Sequence, residues 1–72
     1  MKLSQLKTGD KVRHYCCGVF VEAVVIEANE HYAFTKHRTV KYKGEEHRHS
    51  KIYKTSAGVN PAIFHNGLKI EE

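Results

Sequence analysis

The chain has almost nothing with which to cross-link itself. Its only cysteines, Cys16 and Cys17, are adjacent, it has one proline, and it has no tryptophan. Neighbouring side chains on a strand point to opposite faces, so this pair joins no distant segments, and the disulfide framework of a small secreted domain is excluded. The expected arrangement is one inward and one outward reduced thiol, which fits a reducing compartment. No apolar run approaches the roughly 20 residues of a membrane helix, and residues 1 to 7 lack the apolar stretch of a secretory signal. The expected location is the cytoplasm, with no membrane partner. Linear signatures of catalysis are missing as well: there is no Walker loop, no Gly-x-Ser-x-Gly elbow and no dinucleotide fingerprint. The chain reads as a non-enzyme with no cofactor.

What is present is a globular balance, with 40% hydrophobic and 28% charged residues in a chain of 72. A chain this short buries only about 60% of the surface its unfolded form exposes, so residues 1–72 are expected to form one domain around one core. Leu6-Lys7-Thr8-Gly9-Asp10-Lys11-Val12 reads as a turn delivering the chain into a strand over residues 11 to 16, where Val12, His14 and Cys16 alternate. Gly18 permits a reversal, and the β-branched run of residues 19 to 28 predicts a long bent strand with Glu22 and Glu27 at its wet positions. Asn29-Glu30-His31 predicts a turn. Residues 32 to 35 and 39 to 43 follow as two short strands or one bent one, and Lys43-Gly44-Glu45-Glu46 as the next reversal. Residues 47 to 54 form a further strand, and residues 55 to 58 a flexible loop.

The last segment allows two arrangements. Asn66-Gly67 is a strong hairpin signal that would join strands 62 to 65 and 68 to 71. Alternatively, Pro61 opens a 3₁₀ turn carrying Ile63 and Phe64 inward, before a short final strand over residues 68 to 70; this second arrangement is preferred. The expected core is Leu6, Val12, Val19, Val21, Val24, Ile26, Phe34, Val40, Ile52, Ile63, Phe64, Leu68 and Ile70.

The Leu6-Lys7-Thr8-Gly9-Asp10-Lys11-Val12 opening, the long central strands and the apolar turn before Leu68-Lys69-Ile70 resemble an SH3-like barrel of the KOW, Tudor or bacterial type. That resemblance implies an all-β fold: one small five-stranded antiparallel barrel with a 3₁₀ turn before the last strand, its edges hidden by closure. Gly9-Asp10-Lys11-Val12-Arg13 and Ser50-Lys51-Ile52-Tyr53 also resemble, more loosely, the plasmid type II dihydrofolate reductases. Their pore carries a Val-Gln-Ile-Tyr run, and here Lys51 stands where its glutamine would be, which removes the contacts that reaction relies on.

Charge is concentrated. Residues 36 to 54 hold seven Lys and Arg against Glu45 and Glu46, net +5, while the rest of the chain is net −1. Lys36, Arg38, Lys41, Lys43, Arg48, Lys51 and Lys54 are interleaved with Tyr42 and Tyr53, the combination of phosphate-neutralising cations and stacking rings that single-stranded nucleic acid uses. These nine residues are the candidate site for a nucleic acid or other polyanion. Alternation places Arg48 and Lys54 on one face. The competing expectation is an adaptor or inhibitor, of the kind a phage or mobile element encodes, that docks on a larger protein. In that case the lysines guard sheet edges, and an unguarded edge would pair two copies of the chain.

Six histidines are many for this length. His47 and His49 share a strand face, but two ligands fall short of the four a structural zinc site uses, so the histidines read as polar surface and no metal is expected. His37, His47 and His49 among the cations predict that polyanion affinity rises on acidification.

Overall fold

The reversal at Lys7-Thr8-Gly9-Asp10 is present in the computed structural model, which describes residues 1–41 and 44–71, Val40 and Lys41 by their backbone alone. Gly9 sits at φ 97°, and the Asp10 carboxylate accepts the Lys7 N–H at 2.8 Å. The turn leads from a 3₁₀ turn, Leu3–Gln5, into strand β1 (Lys11–Cys16). β2 (Val19–Ala28), β3 (Tyr32–Lys41), β4 (Gly44–Thr55), β5 (Gly58–Asn60), β6 (Ile63–His65) and β7 (Leu68–Lys69) follow. Among the described residues there is no helix long and apolar enough to cross a membrane.

All seven strands lie in one antiparallel sheet, ordered β5-β4-β3-β2-β1-β6-β7, which curls into a half-barrel. The expected five-stranded closed barrel is therefore corrected on two counts. Two short additional hairpins raise the strand number, and the end strands, β5 and β7, three and two residues long, stand at opposite ends of the strand order and do not pair with each other among the described residues. The concave side is covered instead by the N-terminal 3₁₀ turn, which packs against β2 and β3 and brings in Leu3 and Leu6, and by Ile70, whose N–H bonds the Ile63 carbonyl at 2.9 Å.

The 3₁₀ turn expected at Pro61 is absent. Asn66 and Gly67, at φ 51° and 77°, make a two-residue turn between β6 and β7, so the hairpin alternative is the one the chain adopts. Residues 55 to 58, expected as a flexible loop, are also a tight hairpin: the Thr55 hydroxyl donates to the Gly58 carbonyl at 2.7 Å and accepts the Ala57 N–H. Glu45 and Glu46, expected in a reversal, lie in β4 opposite Val40 and Thr39.

The core consists of Leu3, Leu6, Val12, Ala23, Val25, Ala33, Ile52, Ile63 and Ile70. Val19, Val24 and Leu68, expected inside, are exposed, and Val21, Ile26, Phe34 and Phe64 are half-buried. The side chain of Val40 lies outside the described residues. In β2 the inward positions are the odd ones, Ala23 and Val25, until the register against β3 shifts between Val25 and Glu27. Three hydrogen bonds from the first turn clamp this bulge: Gly9 N–H to the Val25 carbonyl, Val25 N–H to the Asp10 carbonyl, and the Thr8 hydroxyl to the Ile26 carbonyl.

Candidate functional site

Directly opposed residues of an antiparallel pair share a face, so register sorts the predicted site. Lys36 faces His49, Arg38 faces His47, Phe34 faces Lys51 and Tyr32 faces Tyr53, all on the convex side of β3 and β4. The concave side takes Thr35 opposite Ser50 and His37 opposite Arg48. Thus Lys36, Arg38, Lys51 and Tyr53 come together. Arg48 and Lys54 do not join them, because alternation along β4 puts both on the face that buries Ile52. Tyr42, Lys43 and the side chain of Lys41 lie outside the described residues.

The convex face carries rings that sequence reasoning had assigned to the core or overlooked. The Lys51 ammonium lies 4.6 Å from the centre of the Tyr32 ring, 5.9 Å from that of Tyr53 and 6.0 Å from that of Phe34. Phe34 stacks on His49, their planes 24° apart and centroids 5.4 Å apart, and Tyr32 and Tyr53 tilt against each other at 6.4 Å. Tyr53 is 51% exposed. Arg38 pairs with Glu45 at 2.9 Å, but both side chains are exposed, so the pair contributes only about 0 to 1 kcal/mol and leaves the arginine available. The signal that reveals Tyr32 and Phe34 is the alternation of β3 read against that of β4, which needs the register.

No family model, curated protein or solved structure matches the chain. Function therefore rests on the chain's own geometry.

On the same convex side, further along the sheet, a groove of about 690 Å³ is lined by Lys11, Arg13, Phe20, Glu22, Val24 and Phe64 among others. Phe20 is 53% exposed and edges against both Tyr15 and Phe64, with the Arg13 guanidinium 5.9 Å over its ring. Val24 links groove and platform, since it is opposed by Lys36 on one side and Lys11 on the other.

The concave side holds a polar corner rather than surface histidines. His14, Thr35 and His37 are buried, which corrects the expectation of polar surface for His14 and His37, whereas His31, His47 and His49 are exposed as expected. His14 Nδ1 lies 3.4 Å from the Tyr15 carbonyl, which only accepts, and Nε2 lies 3.0 Å from the Thr35 hydroxyl, whose other contact is the Ser50 carbonyl at 3.5 Å; with the proton on Nδ1, Nε2 accepts from Thr35. The His14 and His37 rings meet edge to face at 5.9 Å, and His37 Nδ1 has no hydrogen-bond partner among the described residues. Burial lowers the pKa of His14 below the usual imidazole value; the Tyr15 carbonyl partly opposes this, and the neighbouring His37 adds to it. His37 is lowered by burial and then by the charge of Arg48. His37 thus does not lie on the polyanion face, and burial and Arg48 both oppose its charging, which removes it from the expected acid enhancement; His47 and His49 lie on that face. Among the described residues no three His, Cys, Asp or Glu side chains are placed to hold a metal ion.

Proposed function

We propose that this chain is a small non-catalytic binding module of SH3-like kind whose convex β3–β4 face binds single-stranded nucleic acid. The observation that carries the reading is the Lys51 ammonium set among Tyr32, Phe34 and Tyr53 on an exposed face, with Lys36 and Arg38 further along the same strand pair. Every base presents a π-face and every linkage a phosphate, so rings flanked by cations bind a strand without demanding a sequence. Duplex is not favoured by this arrangement, because its bases are already stacked. Titration of single-stranded DNA and RNA at about 50 mM salt tests the proposal: affinity should fall log-linearly with salt, with a slope of about −0.7 for each phosphate contacted. Absence of binding at that salt sinks it.

One observation favours a second reading, an adaptor or inhibitor docking on a larger protein. The groove around Phe20 and Phe64 exposes contiguous apolar surface beside Lys11 and Arg13, and exposed apolar patches of this kind mark docking sites. An apolar segment carrying an acidic residue fits it. Capture of a partner that resists nuclease and is lost in Phe20→Ser supports that reading; a chain that stays monomeric and recovers the same proteins with or without Phe20 counts against it.

A further inference from the structure

β1 and β2 are joined by a two-residue turn, Cys17-Gly18, with φ 52° and 91°. The chain makes the same kind of turn at Asn66-Gly67, φ 51° and 77°, and there uses asparagine, a residue well suited to that conformation. Cysteine is not. A side chain with a Cβ held in the left-handed region costs about 1–2 kcal/mol, a cost that glycine and often asparagine escape. The consequence of accepting it at Cys17 is geometric. Adjacent side chains on a strand diverge, but here the turn brings the Cys16 and Cys17 sulfurs to 3.6 Å. Cys17 is exposed, as expected of the outward thiol, while Cys16, expected inward, is only half-buried and its sulfur lies beside that of Cys17.

Arg48, which found no place on the convex platform, completes the group: its Nη1 donates to Cys17 Sγ at 2.9 Å, reaching from β4 to a turn 31 residues earlier. Both thiols are free, Cys17 exposed and Cys16 half-buried. A disulfide is a poor use for them. Adjacent Cα atoms stand about 3.8 Å apart, below the roughly 4.4–6.8 Å that disulfides span, so such a bond would be strained and readily reduced. Chelation suits the spacing better. A pyramidal trivalent centre with bonds to sulfur of about 2.3 Å and angles of about 90–100° holds two sulfurs roughly 3.3–3.5 Å apart, close to the separation found. Two thiolates select soft, thiophilic centres, and the guanidinium offsets the negative charge that two sulfurs bring.

We propose that Cys16 and Cys17, backed by Arg48, form a dithiol clamp for soft thiophilic centres of bent geometry, with trivalent arsenic as the chemical class. The step with a monosubstituted arsenoxide balances without electron transfer. Two S–H bonds break, two As–S bonds form, and the oxide leaves with both protons as water while arsenic stays trivalent. This inference is independent of the nucleic-acid reading.

Phenylarsine oxide is the probe. The native protein should take up one arsenical per chain, lose both thiols together, hold the adduct against excess monothiol and release it to a dithiol, all read by native mass spectrometry and thiol titration. Cys16→Ser and Cys17→Ser should each lose retention in monothiol. The turn contributes preorganisation, so the folded chain should bind at least about tenfold more tightly than the same chain in urea. Equal affinity in urea, or retention by wild type no better than by Cys17→Ser, overturns the proposal.

Discussion

The imidazole of His14 and the hydroxyl of Thr35, 21 residues apart in sequence, meet at 3.0 Å with both side chains fully buried. The pair joins β1 to β3 across the concave side, where β2 separates them in the sheet. Thr35→Val keeps the shape and removes the partner of a buried nitrogen. It should lower stability by about 1–3 kcal/mol, with Thr35→Ser retaining most of it. Urea unfolding of the two variants against wild type measures the difference.

Acid should weaken the fold through its buried histidines. His14 faces Thr35 and His37 from β3, and His37 faces His14 from β1 and Arg48 from β4, so among the described residues no acidic side chain pairs with either ring. Both folded pKa values lie below the usual imidazole value of about 6.5, so the unfolded chain binds more protons there and stability rises with pH. The contribution is complete above about pH 6.5 and is lost as pH falls toward the lowered folded values. Thermal midpoints between pH 5 and 8 should show this slope.

His37→Leu should flatten that slope. Because Nδ1 of His37 is buried without a partner among the described residues, the same change should leave stability at pH 8 unchanged or raised. A marked loss at pH 8 would show that the ring makes a bond the geometry does not contain.

Leu3 is fully buried at the centre of the cap over the open side of the sheet. Leu3→Ala should cost about 2–5 kcal/mol, a large share of the roughly 4–10 kcal/mol expected for a domain of this size. Hydrogen exchange should then be fastest at the 3₁₀ turn and at Ile70.

Face separation makes the nucleic-acid reading sharp. Tyr53→Ala removes one stacking ring from the convex platform and should weaken single-strand binding by about 5- to 150-fold, the equivalent of about 1–3 kcal/mol. Lys51→Ala should also reduce the salt slope. Lys54→Ala, on the opposite side of β4, should change affinity little. Equal losses from Lys54 and Lys51 would mean that net charge, not this face, governs binding.

The first turns were the most legible part of the sequence, because Gly-Asp and Asn-Glu-His carry their chemistry locally; at Asn66-Gly67 the hairpin signal competes with the Pro61 arrangement, and the reversal read over residues 43 to 46 takes in Glu45 and Glu46, which lie in β4. Strand faces were harder. Val19, Val21, Val24, Val25 and Ile26 offer no polar contrast, so the run does not reveal that Ala23 and Val25 point inward. Two small residues, Ala23 and Ala33, are buried on the concave side beside Val12, Val25, Ile52 and Ile63, and their size gives no sign of it in the sequence. His14 and Thr35 look like surface residues until strand pairing brings them together. For the site, Lys51 and Tyr53 were visible as a basic and aromatic pair, but Tyr32 and Phe34 join them only through a register that no local pattern encodes. Arg48 illustrates the converse, a cation in the right segment on the wrong side.

The bulge in β2 sets the parity of everything after it. Before it, odd residues face the core; after it, Ala28 faces Ala33 inward and Glu27 faces Phe34 outward. Ile26 is the extra residue that makes the change. Deleting it would restore strict alternation with Glu27 still outward and Ala28 still inward, but the Thr8 hydroxyl would lose the carbonyl it bonds. A single residue at this point thus lets odd positions face the core in the first half of the strand and even positions in the second, and what it adds is an anchor: the bulged backbone is where the first turn is tied to the sheet.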